Sequence, residues 1–290
     1  MNWYEVQITP LAPFRTPWRN DTIWGRLTWA VAQEAIASWN IHRWLQAYRD
    51  GNPPLVVADG FPRTGFPLPA AWHTLPTKDD HKPPEVITFE ELTRLSKGNG
   101  HPIESGQPLR PSSRLHVSLS RSTGCAVDGS LYVADAYLPP EDVPISVVTL
   151  LDHGLTPRDL EALWQHVASE GWGKGRSTGY GAFRLDGVTP LEPPAQDANG
   201  FVTLGHIIPN DDLPLDGLWR WSGIKTVPHD PDTGLTMFPP LFSVALRPGA
   251  CFREKPPRQW TGRMLLHPLE GHPNYTRYGL APAWPITWPD

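Results

Sequence analysis

Five glycines in eleven residues make the segment from Gly171 to Gly181 the part of this sequence best suited to bind an anion. Glycine lets the backbone turn its N–H groups toward a ligand at close range, which residues with a Cβ atom do less easily. Lys174 and Arg176 add positive charge, and Ser177 and Thr178 add hydroxyl groups. The segment therefore predicts an anion-binding loop, with a tight helix-to-strand turn and a solvated basic tip as the alternative.

The elements around this loop indicate how it is positioned. Thr156, Pro157 and Asp159 have the pattern of a capped helix start, and apolar residues then recur at helical spacing until Gly171. The stretch from Tyr180 to Val188 is typical of a strand. A phosphate-binding Walker loop or dinucleotide motif runs in the order strand, loop, helix. The order helix, loop, strand argues against nucleotide hydrolysis and predicts that loop amides, Lys174 and Arg176 hold the anion.

The composition restricts the class of protein. The chain has 290 residues and a formal net charge of −5, so no general affinity for polyanions follows from the total. Thirty-five prolines argue against a helical bundle, and fourteen tryptophans predict an aromatic core or subunit contacts, with surface stacking as the alternative. Two isolated cysteines indicate neither a disulfide framework nor a zinc site. Without a signal pattern or a long apolar run, we expect a soluble, cytoplasmic protein without membrane contact.

The first elements of the chain are predicted from alternation and helical spacing. Trp3 to Leu11 predicts a strand, and a helix opens at Asn20, where Asp21 is predicted as the N-cap in preference to a catalytic role. A second helix is expected at Ile41 to Tyr48, followed by a short strand at Leu55 to Ala58.

The middle of the chain combines loops with regular elements. Leu75 to Pro84 is polar and predicts an exposed loop, and Thr88 opens a short capped helix. Gly98 to Ser113 has no hydrophobic pattern and predicts a long loop of the kind that is usually functional or disordered. Leu115 to Leu119 and Leu131 to Tyr137 predict a hairpin. A further strand is predicted at Ile145 to Leu151.

These elements define a fold class and two domains. Their order of strand, helix, strands, helix, strand predicts an α+β fold with ferredoxin-like, or RNA-recognition-like, domains in tandem. The glycine-rich loop would lie between the last helix and last strand of the first domain. We predict that domain at residues 1–190, with an insertion at about 75–113, and a strand-rich second domain at 199–290. Its predicted strands are Phe201–Ile208, Leu218–Thr226, Leu241–Leu246, Arg263–Leu266 and Tyr278–Ile286.

Four motifs in this order resemble the RAMP superfamily of CRISPR proteins. They are Asn20 to Gly25, Ser120 to Gly124, Gly173 to Gly181 and, more weakly, Thr276 to Ala281. The closest resemblance is to subunit four of the type III-A Csm effector complex, in the Cas-five-like group. The resemblance implies a non-catalytic subunit without a metal or cofactor. It would bind the 5′ repeat handle of the crRNA and join the large Cas-ten-like subunit to a backbone RAMP subunit.

The expected RNA contacts combine the loop with nearby cations, because single-stranded RNA is bound by backbone donors, cations and aromatic rings. Tyr180 is expected either to stack on a base or to pack beneath the loop. The family also implies a thumb-like insertion at Gly98 to Arg114 that kinks the guide. The predicted RNA-binding residues are Arg15, Arg19, Arg114, Arg121, Gly173, Lys174, Gly175, Arg176, Ser177, Thr178 and Tyr180.

Two other functions remain open at this point. A metal-independent repeat-RNA endonuclease would use a histidine to drive attack by the RNA 2′-hydroxyl, with His42 as the candidate and His116 and His153 behind it. A scaffold that binds only protein through its tryptophans is the other alternative. Electrostatics cannot separate the scaffold from an RNA-binding subunit, because the net charge is negative.

Overall fold

The computed structural model of the chain describes residues 1–74, 83–98, 100–103, 105–152, 154–194, 198–226, 241–266 and 276–289. The α-helices are α1 Asn20–Ala32, α2 Ile41–Arg49, α3 Phe89–Ser96 and α4 Pro157–Glu170. The strands are β1 Asn2–Pro10, β2 Leu55–Pro62, β3 Phe66–Pro67, β4 Val86–Ile87, β5 Arg110–Leu119, β6 Ala126–Leu138, β7 Ile145–Leu151, β8 Phe183–Pro190, β9 Gly200–Thr203, β10 Gly217–Leu218, β11 Trp221–Thr226, β12 Leu241–Leu246, β13 Cys251–Arg253, β14 Trp260–Gly262, β15 Leu265–Leu266, β16 Thr276–Arg277 and β17 Leu280–Ile286.

An antiparallel four-stranded sheet with the order β2-β7-β1-β8 forms the first half of the molecule. Every residue of β7 is buried, as its uninterrupted Ile, Val and Leu content predicts. Helix α1 packs on β2, α4 packs on β8, and the two helices contact each other, so they cover the same face of the sheet. The predicted α+β class is confirmed, with few helices and antiparallel sheets.

Helix starts were predicted correctly where the cap is local. The Thr156 side chain accepts a hydrogen bond from the Asp159 amide, and the Asp159 carboxylate accepts one in return from the Thr156 amide. The prediction for Asp21 was wrong. The N-cap position of α1 is Arg19, and Asp21 lies in the first turn, where its carboxylate accepts from Thr22 and pairs with Arg19.

The second half contains a five-stranded antiparallel sheet with the order β10-β13-β9-β17-β14. Its core is continuous with that of the first half, because β17 packs on β2 and the largest apolar cluster draws from both sheets. The rings of Trp3 and Trp284 meet edge to face at 5.4 Å. Nine of the fourteen tryptophans are buried, which confirms the core alternative for most of them.

The predicted hairpin exists and is longer than expected. Strands β5 and β6 pair with each other in a separate two-stranded sheet, from Arg110 opposite Leu138 to Leu119 opposite Ala126. Residues 110–113 are therefore strand, which corrects the loop predicted at Gly98 to Ser113. Most of the predicted loop at Leu75 to Pro84 lies outside the described residues. No helix in the described ranges is long and apolar enough to cross a membrane.

Candidate nucleic-acid interface

The glycine-rich loop is fixed at both ends by its neighbours. The Trp172 amide donates to the Gly181 carbonyl at 2.7 Å, and the Gly181 amide donates to Pro13 at 2.8 Å. The Trp172 ring stacks on Trp18, with centroids 3.9 Å apart and planes 7° apart, and its Nε1 donates to the Thr16 carbonyl. The base of the loop is therefore held against the segment before α1.

Two glycines are required by this close packing. A Cβ atom on Gly173 would lie 2.4 Å from the Thr16 side chain, and one on Gly181 would lie 1.9 Å from the Trp172 carbonyl oxygen. Both residues also have positive φ, at 66° and 73°. A larger residue at either position would displace the loop from its anchor.

The tip of the loop presents its polar side chains to solvent. Arg176–Thr178 form a short 3₁₀ turn between left-handed Gly175 and Gly179, and the Thr178 hydroxyl donates to the Gly175 carbonyl at 3.0 Å. The side chains of Lys174, Arg176 and Ser177 are exposed. An open cavity of about 530 Å³ at this tip is lined by Glu170, Gly173, Gly175, Arg176 and Ser177.

An acidic residue partly offsets the charge of the tip. Glu170 at the end of α4 forms an ion pair with Arg26, and its Oε2 lies 3.4 Å from Arg176. Burial raises the pKa of Glu170, but the hydrogen bond and charge of Arg26, with His166 and Arg176, outweigh burial and lower it. Arg176 is therefore paired with the Glu170 carboxylate, whereas Lys174 has no ion pair with any described residue.

Tyr180 packs beneath the loop, as one of its two predicted alternatives requires. Its side chain is buried with Ala134 and Ala136 of β6, and its hydroxyl lies 2.6 Å from His116 Nε2. The Arg15 guanidinium lies 5.5 Å from the ring centroid. A buried ring offers no free face to a base, so Tyr180 positions the hairpin against the loop.

The hairpin brings one of its predicted cations close to the loop and leaves the other remote. Arg114 is exposed and shares a strand face with His116, because alternate residues point the same way. Arg15 also contacts the hairpin, because its Nε donates to the Asp135 carbonyl of β6 at 3.3 Å. Arg121 lies in the turn five residues beyond His116, roughly 16 Å along the strand.

Arg19 forms an ion pair with an aspartate. Its guanidinium makes two hydrogen bonds to the Asp21 carboxylate, at 3.2 and 2.9 Å, at the start of α1. The predicted residues therefore divide into a loop group with Arg15 and Arg114 near Tyr180, and Arg19 and Arg121, whose side chains form no bond with the loop among the described residues.

A buried polar cluster at the start of α1 was not predicted. Asp59 Oδ1 accepts from the Asn20 amide at 2.9 Å, and Asp59 Oδ2 lies 2.7 Å from His206 Nδ1. Asn20 Nδ2 donates to the carbonyls of His206 and Leu280. A lone aspartate in the otherwise apolar strand Leu55–Pro62 is the one local signal that pointed to this cluster.

The histidines predicted for an endonuclease lie in different settings. His42 is exposed on α2, and His116 is bonded to Tyr180. His153 lies outside the described residues. His42 and His116 are thus on separate elements and are not part of one described cluster.

The chain has the fold of chains from type III-A CRISPR–Cas assemblies. No family model matches the sequence, and no curated protein matches it. Among solved structures, chains from crystals of a Csm1–Csm4 cassette with AMPPNP and with cA4 align over 100% of both chains, with TM-scores of 0.63 and 0.64 and 15% identity. A chain of a Csm3–Csm4 subcomplex of the type III-A interference complex aligns over 97% of this chain and 99% of its own, with a TM-score of 0.54 and 12% identity. Csm4 is common to all three assemblies, and the predicted resemblance to a RAMP subunit of this kind is confirmed at the level of the fold.

Proposed function

We propose that this chain is a non-catalytic subunit of a type III CRISPR effector complex, and that it binds the 5′ repeat handle of the crRNA. The observation that carries the proposal is the loop tip, where Lys174 and Arg176 are exposed, with Arg114 exposed on the hairpin face that contacts Tyr180. The exposed cations of the tip suit a phosphodiester chain without requiring a particular base.

The fold supports the same proposal. The order β1-α1-β2-β7-α4-β8, with spatial order β8-β1-β7-β2, is what a ferredoxin-like first domain requires, and we propose that the strand-rich half is the second such domain. Chains of this fold are found with Csm1 and with Csm3. We therefore propose a large Cas-ten-like subunit and a backbone RAMP subunit as partners, in the cytoplasm.

A protein-only scaffold is the second candidate because one hairpin face is apolar and exposed. Leu115 opposes Val133 and Val117 opposes Leu131, and all four are at least 43% exposed. A contiguous exposed apolar face is typical of protein contact. This face and the loop could serve a protein and an RNA partner at the same time.

The test is recovery of RNA with the assembled complex. The tagged chain is expressed in its native host with the other subunits, and the 5′ ends of bound RNA are mapped. A single 5′ end at a fixed position inside the repeat is expected. It should be lost when Lys174→Ala and Arg176→Ala are combined, and retained in the matched control Arg158→Ala with Arg184→Ala.

Salt dependence gives a second readout. Each phosphate contact contributes about −0.7 to the log–log slope for single strands, so the double variant should flatten the slope by about 1.4. An unchanged slope would remove these two side chains from the RNA interface. Intact complexes with no RNA at all would favour the scaffold.

A further inference from the structure

A second cavity lies on a different part of the molecule from the glycine-rich loop. It has a volume of about 550 Å³ and opens between residues 67–73 and 85–86 on one side and the base of the β11–β12 hairpin on the other. Leu68, Val86 and Ala250 contribute apolar surface to its wall. Its size falls within the range of small-molecule sites, which are mostly apolar with a few polar groups. Its polar lining residues are His73, Glu85, His206, Arg220, Ser222 and Arg247.

Two arginines face each other at the mouth of this cavity. The Arg247 amide donates to the Arg220 carbonyl at 2.9 Å, one step beyond the β11–β12 pair of Trp221 with Leu246. Directly opposed residues of an antiparallel pair project to the same side, and like charges placed this way destabilise the pair. Both side chains are exposed, and neither forms an ion pair with a described residue. An anion that bridges the two guanidinium groups would remove this repulsion.

A histidine lies on the inner wall. His206 Nδ1 is bonded to the buried carboxylate of Asp59, so the imidazole is held in one orientation and Nε2 is its remaining polar atom. Burial lowers the pKa of His206, but the charge and hydrogen bond of Asp59 more than offset burial and raise it. Glu85 is an exposed acid on the same wall, so the cavity carries more positive than negative groups.

We propose that this cavity binds the phosphate group of a nucleotide between Arg220 and Arg247. Guanidinium groups match phosphate oxygens with paired N–H donors, and two of them can satisfy a dianion. The hydroxyl of Ser222, on the same strand face as Arg220, is a further donor, because alternate residues share a face. The apolar wall at Leu68 and Ala250 has room for the base.

The nucleotide could be free in solution or a unit of an RNA strand. No residue of this site belongs to the loop group, so the inference does not depend on RNA binding at the loop. The two proposals can therefore fail separately.

The test measures binding of adenosine 5′-monophosphate to the full-length chain by calorimetry, with adenosine and a short single-stranded RNA as comparison ligands. Saturable one-to-one binding of the monophosphate is expected, and adenosine should bind at least tenfold more weakly. Arg247→Ala should weaken monophosphate binding about tenfold or more, because a charge-assisted hydrogen bond is lost. The matched control Arg184→Ala, on β8, should not change it.

Folding is checked in the same variants. Removing one of two opposed like charges should leave the thermal midpoint unchanged or raise it.

A short RNA that binds more tightly than the monophosphate, with the same dependence on Arg247, identifies an RNA strand as the source. If the short RNA does not compete with the monophosphate for the cavity, the ligand is a free nucleotide. Equal binding of adenosine, equal losses in Arg247→Ala and Arg184→Ala, or no binding of either phosphate ligand would overturn the proposal. Lys174→Ala with Arg176→Ala should bind the monophosphate as the wild type does.

Discussion

Replacing Asp59 by asparagine should reverse the contribution that His206 makes to the pH dependence of stability. In the wild type, the buried carboxylate accepts hydrogen bonds from the Asn20 amide at 2.9 Å and from His206 Nδ1 at 2.7 Å. The pKa of His206 is raised above its ordinary value of 6.5 because the charge and hydrogen bond of Asp59 outweigh burial. The stabilisation from this pair is therefore complete below pH 6.5 and is lost as the pH rises through the higher value of the folded state.

The size of the change in stability with pH is limited because a single group, His206, binds or releases one proton. The free energy of unfolding should fall with rising pH by at most about 1.4 kcal/mol per pH unit within that window. Asp59→Asn keeps the shape and one acceptor oxygen but removes the charge, so burial and the charge of Arg19 then lower the pKa of His206 against the smaller opposing effect of Asp21. The variant should accordingly lose stability as the pH falls below 6.5. Asp59→Ala also leaves the Asn20 amide without its acceptor. Breaking a buried ion pair costs about 3–5 kcal/mol of stability.

Urea unfolding between pH 5.5 and 8.5 measures both effects. The slope of stability against pH should be more positive in Asp59→Asn than in the wild type. The matched control His42→Gln removes an exposed histidine and should leave the wild-type slope unchanged. If the wild type and Asp59→Asn have the same slope, the assignment of the linkage to His206 and Asp59 is refuted.

Two further predictions concern glycine and cysteine positions. Gly181→Ala should destabilise the chain by several kcal/mol in urea unfolding, because its Cβ would lie 1.9 Å from the Trp172 carbonyl oxygen. Gly179→Ala, with φ of 86° and no atom within 4 Å, should cost only about 1 kcal/mol, and equal costs would contradict the packing argument. In the native protein a disulfide reagent should modify the exposed Cys125 and not Cys251, whose burial raises its pKa to about 12. Two fast-reacting thiols without denaturant would refute that burial.

Local patterns predicted the elements whose determinants lie close together in sequence. The capping box at Thr156 and the glycines after α4 are complete within a few residues, and the structure confirms the helix and the turn that they specify. The start of β5 at Arg110 was missed for the opposite reason. Residues 110–113 pair with the end of β6 and are largely exposed, so no apolar alternation marks them.

The roles of individual side chains depended on distant partners. Asp21 has the chemistry of an N-cap but lies inside the first turn, and Asp59, 39 residues from Asn20, supplies the acceptor for the first helical amide. Tyr180 could be predicted to lie at the loop, yet only its contact with His116 shows that the ring is covered. The α+β class was therefore accessible from the sequence, and the contacts of individual side chains were not.

The hydrogen bond from Asn20 to Leu280 has a consequence for how the chain is made. The two residues are 260 positions apart, and the Asn20 side chain is buried against the Leu280 carbonyl. At a synthesis rate of 5–20 residues per second, roughly 10–50 s pass between them on the ribosome. During that interval the first sheet lacks the covering strand β17, and Trp3 lacks Trp284. The nascent chain should depend on chaperones until its final strand emerges, so slow translation of the second half would lower the yield of native protein.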